Sequence, residues 1–434
     1  MIVEMLQAAS MLLHHRLHML ILFFISFTLV PAVAIKVKSR NYKVFDGKVK
    51  PVTVVVPVHT EDYKIFERSM KSIHAENPDQ IIVSIDSNDQ KLIHIAKKYG
   101  AEILKHRTRV GKRKALAMAW EKAKNDIIVQ VDSDIFLQKG CLSELSKPFD
   151  DSSIVGVAAN QTYIRTDSKF SFISSFLIGK NVNVVNKALN GGLVVVDGKC
   201  SAWRKSFLLE VKDSFLNEHW MGKRSEIGDD RFLSREALKR GFKTVYQDSA
   251  EILVPSPKTF KNFLLQQLRW RRSGVKYWLK DLKEGIAPSK TYVIHNCAYH
   301  AAPFVFLAAA LSDILFFRLP FNLGSVWSAF GVLVIGVSLV TLIWQLIYHN
   351  KSLVRFWHLT TQGLIGLFVL MPISLYGALT IKNQYAWLSR EYTTGDSKKE
   401  AVALAALPVI LAPCLFSGFS LALVTLASGA FMYG

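Results

Sequence analysis

An α/β domain built on a doubly wound parallel sheet, inserted between membrane-spanning helices, is the fold class this chain predicts. Three observations carry that reading. Long apolar runs gather at the two ends of the chain. The middle, from about Lys36 to about Lys290, has the mixed composition of a soluble domain large enough for its own core. Within that middle, short apolar strands alternate with helical segments, the order that builds a parallel sheet. Composition agrees: 50% of the 434 residues are hydrophobic and mean hydropathy is +0.22. That is too apolar for an ordinary soluble enzyme and too charged for a pure membrane bundle.

Residues 1–16 read as a surface helix, because Ile2–Leu13 is too short to cross a bilayer. Residues 17–35 are long enough, and Lys36, Lys38, Arg40 and Lys43 follow at once. The positive-inside rule then sets the central domain in the cytoplasm of a multi-pass plasma-membrane protein. No small-residue cleavage pattern marks a signal peptide. Residues 36–250 form the α/β domain. Strands are expected at Val52–Val56, ended by Pro57, at Gln80–Ile85, at Glu102–Leu104 and at Ile127–Val131. Helices are expected at Ile65–His74, Leu92–Tyr99 and Lys112–Lys124. In such sheets ligands bind beyond the carboxyl ends of the strands. Asp86 and the pair Asp132 and Asp134 fall there. Residues 251–290 hold an amphipathic stretch, Ser256–Lys283. Its apolar residues include Phe260, Phe263, Leu268 and Trp278, and its charges Lys258, Lys261, Arg271, Arg272 and Lys276 suit a membrane-surface helix. In 291–381, Val293–Phe317 and about Val326–Ile347 read as a membrane hairpin. The basic loop with Lys351, Arg355 and His358 agrees with a cytoplasmic return. Residues 401–434 are a last apolar segment, broken by Pro408 and Pro413.

The formal net charge of +20 fits positive-inside topology or an acidic substrate or product. No basic-aromatic module points to nucleic acid. The four cysteines are scattered without a CxxC, so reduced thiols are expected. There is no Gly-x-Gly-x-x-Gly, which speaks against a nicotinamide-binding domain.

The motifs carry the chemistry. Asp132-Ser-Asp134 offers two carboxylates on a turn, a set able to hold Mg2+ or Mn2+ against phosphate oxygens. An isolated pair of this kind is more often a solvated turn; the preceding buried strand argues otherwise. Gly111-Lys112-Arg113 opens a helix, where backbone N–H groups and basic side chains form a phosphate site; a solvated basic turn is the competing reading. Asp229-Asp230 begins another helix expected to end near Arg240. The pair could cap that helix, and a carboxylate held there could also act as a general base. Gln266, Arg269 and Trp270 lie at i, i+3 and i+4, so an amide, a guanidinium and an indole share one helix face. That face suits a diphosphate and a stacked sugar ring.

Together, Asp86, Asp132-Ser-Asp134, Gly228-Asp-Asp-Arg231 and Gln266-Gln-Leu-Arg-Trp270 resemble the processive, inverting family 2 glycosyltransferases. These build hyaluronan, chitin, cellulose and the type 3 capsule. The resemblance covers most of the chain and implies a GT-A domain that binds UDP-sugars: UDP-GlcA with UDP-GlcNAc or UDP-Glc. It makes Asp230 the base with Asp229 supporting, and Asp134 and Asp132 the metal ligands. Glu61, Asp86, Lys112, Arg113, Asp132, Gln266, Arg269 and Trp270 become nucleotide-sugar contacts. Lys199, Cys200 and Trp270 become acceptor contacts. Trp387-Leu-Ser-Arg390 is similar to a tail element that touches the nucleotide diphosphate, which makes 382–400 a cytoplasmic gating loop and Leu359–Ile381 a re-entrant segment broken at Pro372. Two departures stand out: Asp197-Gly198-Lys199 where hyaluronan synthases carry Ser-Gly-Pro, and Thr60-Glu61 in place of Asn-Glu. Gly198–Arg204 is more similar to the type 3 capsule synthase. The implied partners are UDP-sugars, a nascent polysaccharide and the lipid bilayer. The rivals are a chitin-oligosaccharide synthase, a non-processive lipid-phosphate glycosyltransferase and a non-catalytic export subunit.

Overall fold

The computed structural model describes residues 30, 32–85, 87–106 and 108–287, scattered positions from 290 to 304, residue 361 and residues 364–382. Asp86, Trp387, Arg390 and most of the apolar end runs lie outside the described residues. Among the described residues no helix is long and apolar enough to cross a membrane. The chain divides into two compact units: residues 38–288 with 377–398, and residues 1–37 with 289–376 and 399–434.

In the first of these units β1 (Val52–Val58), β2 (Gln80–Ile85) and β4 (Ile127–Val131) are buried along their whole length, as strands covered on both faces are. The shorter β3 (Glu102–Lys105) is the half-exposed edge. β1 continues through Pro57, where the sequence predicts its end. Its ladder with β4 stops at Val55, and beyond that Pro57 lies opposite Ser84 of β2. The missing proline N–H therefore falls outside the β4 ladder. Helices α1 (Tyr63–Ala75) and α2 (Gln90–Lys98) are capped by Asp62 and Asp89, whose carboxylates accept from the first free backbone N–H groups. α3 (Lys112–Lys122) follows Gly111.

The second half departs from a purely parallel sheet. It adds β5 (Phe136–Leu137), β6 (Ile154–Ile164), β7 (Cys200–Arg204), a small separate hairpin of β8 (His219–Trp220) and β9 (Lys223–Arg224), and β10 (Lys243–Pro255). The main sheet has the order β3-β2-β1-β4-β7-β6-β10-β5. β7 is antiparallel to both β4 and β6, and β10 is parallel to β6 but antiparallel to β5. The sheet is mixed because the chain leaves β6 through α4 (Lys169–Ala188) and re-enters in the reverse direction. An antiparallel strand begins where its neighbour ends. Cys200 pairs with Val131, so the residues just before β7 arrive at the rim where Asp132 sits.

Two further helices complete the site's frame: α5 (Asp229–Lys239) and α6 (Phe260–Glu284). Arg271, Arg272 and Lys276 do not form a solvated polar face on α6, as a membrane-surface helix would have it; all three are buried. Arg272 donates from Nε and Nη2 to Thr380 Oγ1 at 3.1 and 2.8 Å. The backbone at Gly377 comes so close that a β carbon there would lie 3.1 Å from Arg271 Cβ. Upstream, Gly366–Leu370 form a π turn that runs into α7 (Met371–Leu379). Pro372 thus lies in the first turn of α7, directly after the π turn.

Candidate active site

The rim at the end of β4 collects the acidic residues. Asp132 donates its backbone N–H to Lys199 O at 2.9 Å, which fixes the Asp-Ser-Asp turn against the start of β7. Ser133 Oγ donates to Glu61 Oε2 at 3.0 Å, and Glu61 Oε1 accepts from Asp62 N at 3.0 Å. In this state Glu61 braces the turn. Asp134 is 6% exposed.

Lys112, the first residue of α3, reaches across this rim. Its Nζ lies 2.9 Å from Asp132 Oδ1 and 3.0 Å from Asp229 Oδ2. Burial alone would lower the Lys112 ammonium, but Asp132 and Asp229 hold it above its ordinary value. The carboxylates respond differently. Burial pushes Asp132 up to about 6, against the pull of Lys112 and with help from Asp134. Asp229 is half-buried and desolvation works to raise it, but Lys112 holds it below its ordinary value. Asp230 is raised, first by burial and then by its acidic neighbours Asp229 and Asp197. Two adjacent carboxylates thus diverge, one kept firmly ionised and the other made more basic.

Asp230 faces the turn before β7. Arg231 N donates to its Oδ1 at 2.8 Å and Gly198 N to its Oδ2 at 3.5 Å. Gly198 has little room: a β carbon would sit 3.4 Å from Asp230 Cβ and 3.6 Å from both Asp229 Oδ2 and Lys112 Nζ. The neighbouring Lys199 donates from Nζ to Asp197 Oδ2 at 2.5 Å. The same ammonium lies 5.2 Å from the Trp270 ring and 6.0 Å from the Tyr163 ring, within cation–π range. Trp270 therefore stands beside Lys199, next to the Gly198 turn that faces Asp230. One helical turn earlier on α6, Gln266 Oε1 is buried without a hydrogen-bond partner, an amide oxygen open to a ligand donor.

Gly228 explains how the Asp229-Asp230 pair is presented. It caps α5 at φ 75° and ψ 43°. A β carbon there would lie 2.4 Å from Ser273 Oγ and 2.6 Å from Tyr277 Cε2. Both the left-handed backbone and the close approach to α6 require glycine.

Two of the residues expected in the site point elsewhere. Arg113 does not join Lys112 at the rim. Its guanidinium is buried, donating to Glu218 Oε2 at 2.7 Å and Phe215 O at 2.8 Å, with its face 4.8 Å from the Phe215 ring. The reason is helix geometry: adjacent residues project about 100° apart. Cys200 is likewise part of the hydrophobic core, where its thiol pushes that of Cys141 up. As the first residue of β7, its side chain takes the opposite sheet face from that of Ser201. Asp86, Trp387 and Arg390 lie outside the described residues, and Arg269 is half-buried.

Sequence reasoning gave no site role to Asp197, Glu218, Lys276 or Tyr277. A signal for the last was present. The polar-aromatic face does not stop at Trp270. Stepping by four and three residues from Gln266 gives Trp270, Ser273, Tyr277 and Lys280, one stripe along four turns.

The set fits a divalent cation. Among the described residues no three His, Cys or acidic side chains converge to hold one alone. A hard cation that shares its shell with phosphate oxygens and water needs only one or two carboxylates, and Asp132 with Asp134 can provide them.

A family model described as glycosyltransferase like family 2 matches residues 50–273. A hyaluronan synthase of Streptococcus pyogenes serotype M1 is 28% identical over 384 residues, 82% of this chain and 87% of its own. An N-acetylglucosaminyltransferase of Neorhizobium galegae is 29% identical over 291 residues, 66% of this chain and 65% of its own. Among solved structures, the mannosyltransferase PcManGT from Pyrobaculum calidifontis, in complex with GDP-Man and Mn2+, matches with a TM-score of 0.55 at 15% identity. The match covers 84% of this chain and 99% of that one. It marks a shared, GT-A-like α/β fold.

Proposed function

We propose that this chain, which belongs to glycosyltransferase family 2, is a processive, inverting polysaccharide synthase. It draws on UDP-sugars and passes a β-linked polymer outward through its own membrane helices. The chain is a glycosyltransferase related to hyaluronan synthases and N-acetylglucosaminyltransferases; processivity, sugars and membrane placement are our reading. The observation that carries it is the convergence at the Gly198 turn. Asp230, the Lys112–Asp229 pair and, through Lys199, the Trp270 ring surround one short stretch of backbone.

The terminal sugar of the acceptor stacks on Trp270 and turns one hydroxyl toward Asp230. Asp230 takes the hydroxyl proton as the oxygen attacks the anomeric carbon of the donor. The bond from that carbon to the diphosphate breaks on the opposite face, which inverts the configuration. UDP leaves with the electron pair. Lys112 and the first N–H groups of α3 hold its negative charge. Bound Mg2+ or Mn2+ at Asp132 and Asp134 would supply further positive charge to the diphosphate. Burial and the neighbouring carboxylates make Asp230 a better proton acceptor than a free aspartate.

A glucuronate-containing polymer, hyaluronan or one like the type 3 capsule, is the favoured product, made at the plasma membrane with the catalytic domain in the cytoplasm. The N-acetylglucosaminyltransferase relative supports chitin oligosaccharide as the second reading. The test is purified enzyme in detergent with Mn2+, supplied with UDP-GlcA, UDP-GlcNAc and UDP-Glc singly and in pairs. UDP release and polymer length are measured. Sustained polymer from one pair or one sugar, lost in Asp230→Asn, is expected. Polymer made by Asp230→Asn at the wild-type rate, or UDP release without chain growth for every donor, overturns the reading.

A further inference from the structure

Behind the site lies a buried charge cluster that no step above uses. Its centre is the Glu218 side chain, only 3% exposed. Glu218 Oε2 accepts from Arg113 Nη2 at 2.7 Å, from Tyr277 OH at 2.7 Å and from Lys276 Nζ at 3.2 Å. Glu218 Oε1 accepts from Lys280 Nζ at 2.5 Å. These donors come from α3 and α6. Two of them also reach the chain just ahead of the proposed base: Arg113 Nη2 and Lys276 Nζ each donate to Ile227 O at 3.2 Å, and Lys276 Nζ donates to Ser225 Oγ at 2.6 Å. Three residues beyond Ile227 is Asp230.

From this arrangement we infer that Glu218 is a positioning residue for the transfer reaction, a single carboxylate that locks the Asp229-Asp230 loop to the helix carrying Lys112 and to the helix carrying Trp270. The inference rests on the function proposed above. The geometry is direct. Arg113 follows Lys112 on α3, so fixing one guanidinium fixes the root of the phosphate-site lysine. Tyr277 and Lys280 continue the stripe of Gln266 and Trp270, so holding their heads sets the rotation of α6. Ile227 receives donors from both helices at once. A 1 Å error between base, phosphate site and stacking ring is the kind that costs turnover rather than folding.

Charge balance points the same way. One carboxylate faces three cations, and a buried cluster of this kind is a poor source of stability because desolvation offsets the attraction. Burial alone would raise Glu218, yet Lys276, Arg113 and Lys280 hold it down at about 2. Lys276 is pulled down to about 7 by burial. A cluster so costly to assemble is better explained by the geometry it fixes than by the energy it adds.

The test uses the full chain in detergent with Mn2+, comparing wild type with Tyr277→Phe, Glu218→Gln, and Glu218→Gln combined with Lys276→Met. Turnover, UDP affinity by calorimetry and thermal unfolding are read together. Glu218→Gln should lower turnover about 100-fold, as a misplaced base does, while the folded protein keeps UDP affinity within about twofold. Tyr277→Phe removes one bond and no charge, and should lower turnover roughly fivefold, about one hydrogen bond's worth. It keeps the question open to measurement even where Glu218→Gln fails to fold. The double variant also removes the α6 donor to Ile227 O and should recover none of the lost turnover; recovery would count against the positioning role. Wild-type turnover in Tyr277→Phe and Glu218→Gln overturns the inference. So does loss of UDP binding, melting temperature and activity in step, which marks a purely structural cluster. Asp230→Asn is run alongside. If that variant remains active, the base assignment has failed; if it is dead while the Glu218 variants are normal, only the positioning role has.

Discussion

Gly228→Ala tests whether the base loop is held by its contact with α6. The alanine would have to adopt φ 75°, the left-handed region, at a cost of about 1–2 kcal/mol. Its methyl group would also sit 2.4 Å from Ser273 Oγ and 2.6 Å from Tyr277 Cε2. Forcing a methyl group into packed surroundings costs about 1–3 kcal/mol. If the loop stayed in place, the sum would be about 2–5 kcal/mol, a large part of the roughly 5–15 kcal/mol that holds a typical domain folded. The cheaper response is for the loop to move away from α6, taking Asp229 and Asp230 with it. A shift near 1 Å at the base lowers turnover about 100-fold. We therefore expect Gly228→Ala to fold with a reduced melting temperature and to lose most of its UDP release. Adding Ser273→Ala removes the nearer of the two clashes and should restore only part of the rate, because the Tyr277 ring remains. Melting and turnover equal to wild type in Gly228→Ala would refute the reasoning.

Three other outcomes are expected. Asp134→Ala should lose transfer together with the Mn2+-dependent part of UDP binding, seen by calorimetry with and without chelator; full wild-type activity in excess EDTA would exclude a metal role. Asp230 must be ionised to accept a proton, so activity falls as pH drops through its raised pKa. Asp197→Asn removes a like charge and releases Lys199, and both changes favour the carboxylate, so the acid limb of the rate profile should move to lower pH; a limb that stays or rises contradicts the charge argument. Arg390→Ala should reduce transfer without unfolding, and a cysteine at Ser389 should react with an impermeant thiol reagent only from the cytoplasmic side. Labelling from outside intact cells would sink the gating-loop proposal.

What the sequence made legible was local. Buried strands show as apolar runs, and a residue just past such a run must lie at the rim. Asp132 and Asp134 could therefore be placed from the Ile127–Val131 pattern alone. Strand direction in the second half was not legible, because β7 pairs with Val131 on one side and Ala158 on the other and neither partner is near it in the chain. The meaning of Asp197-Gly198-Lys199 was hidden for the same reason: only the antiparallel entry of β7 brings that turn to Asp230. Arg113 misled because Gly-Lys-Arg gives residue types but not directions. Its partner Glu218 lies 105 residues away, and nothing local says which of two adjacent basic residues turns inward.

The helix α6 shows most clearly where local reading ends and what lies past it. Gln266, Arg269 and Trp270 were recognised because amide, guanidinium and indole together suit a sugar diphosphate. The same spacing continues through Ser273, Tyr277 and Lys280, residue types that read as an ordinary solvated face. A solvated face would leave Ser273 and Tyr277 exposed, yet they are 6% and 2% exposed. The feature that could have redirected the reading is Gly228, a glycine directly before two acids at a helix start, where Ser, Thr, Asp or Asn is the commoner cap. A cap without a side chain admits a left-handed backbone and a close neighbour in the side chain's place. Here that neighbour is the second half of the stripe whose first half carries Trp270. The helix that presents Trp270 also packs against Gly228 at the head of the Asp229-Asp230 loop, so the proposed acceptor platform and the proposed base are set by one element.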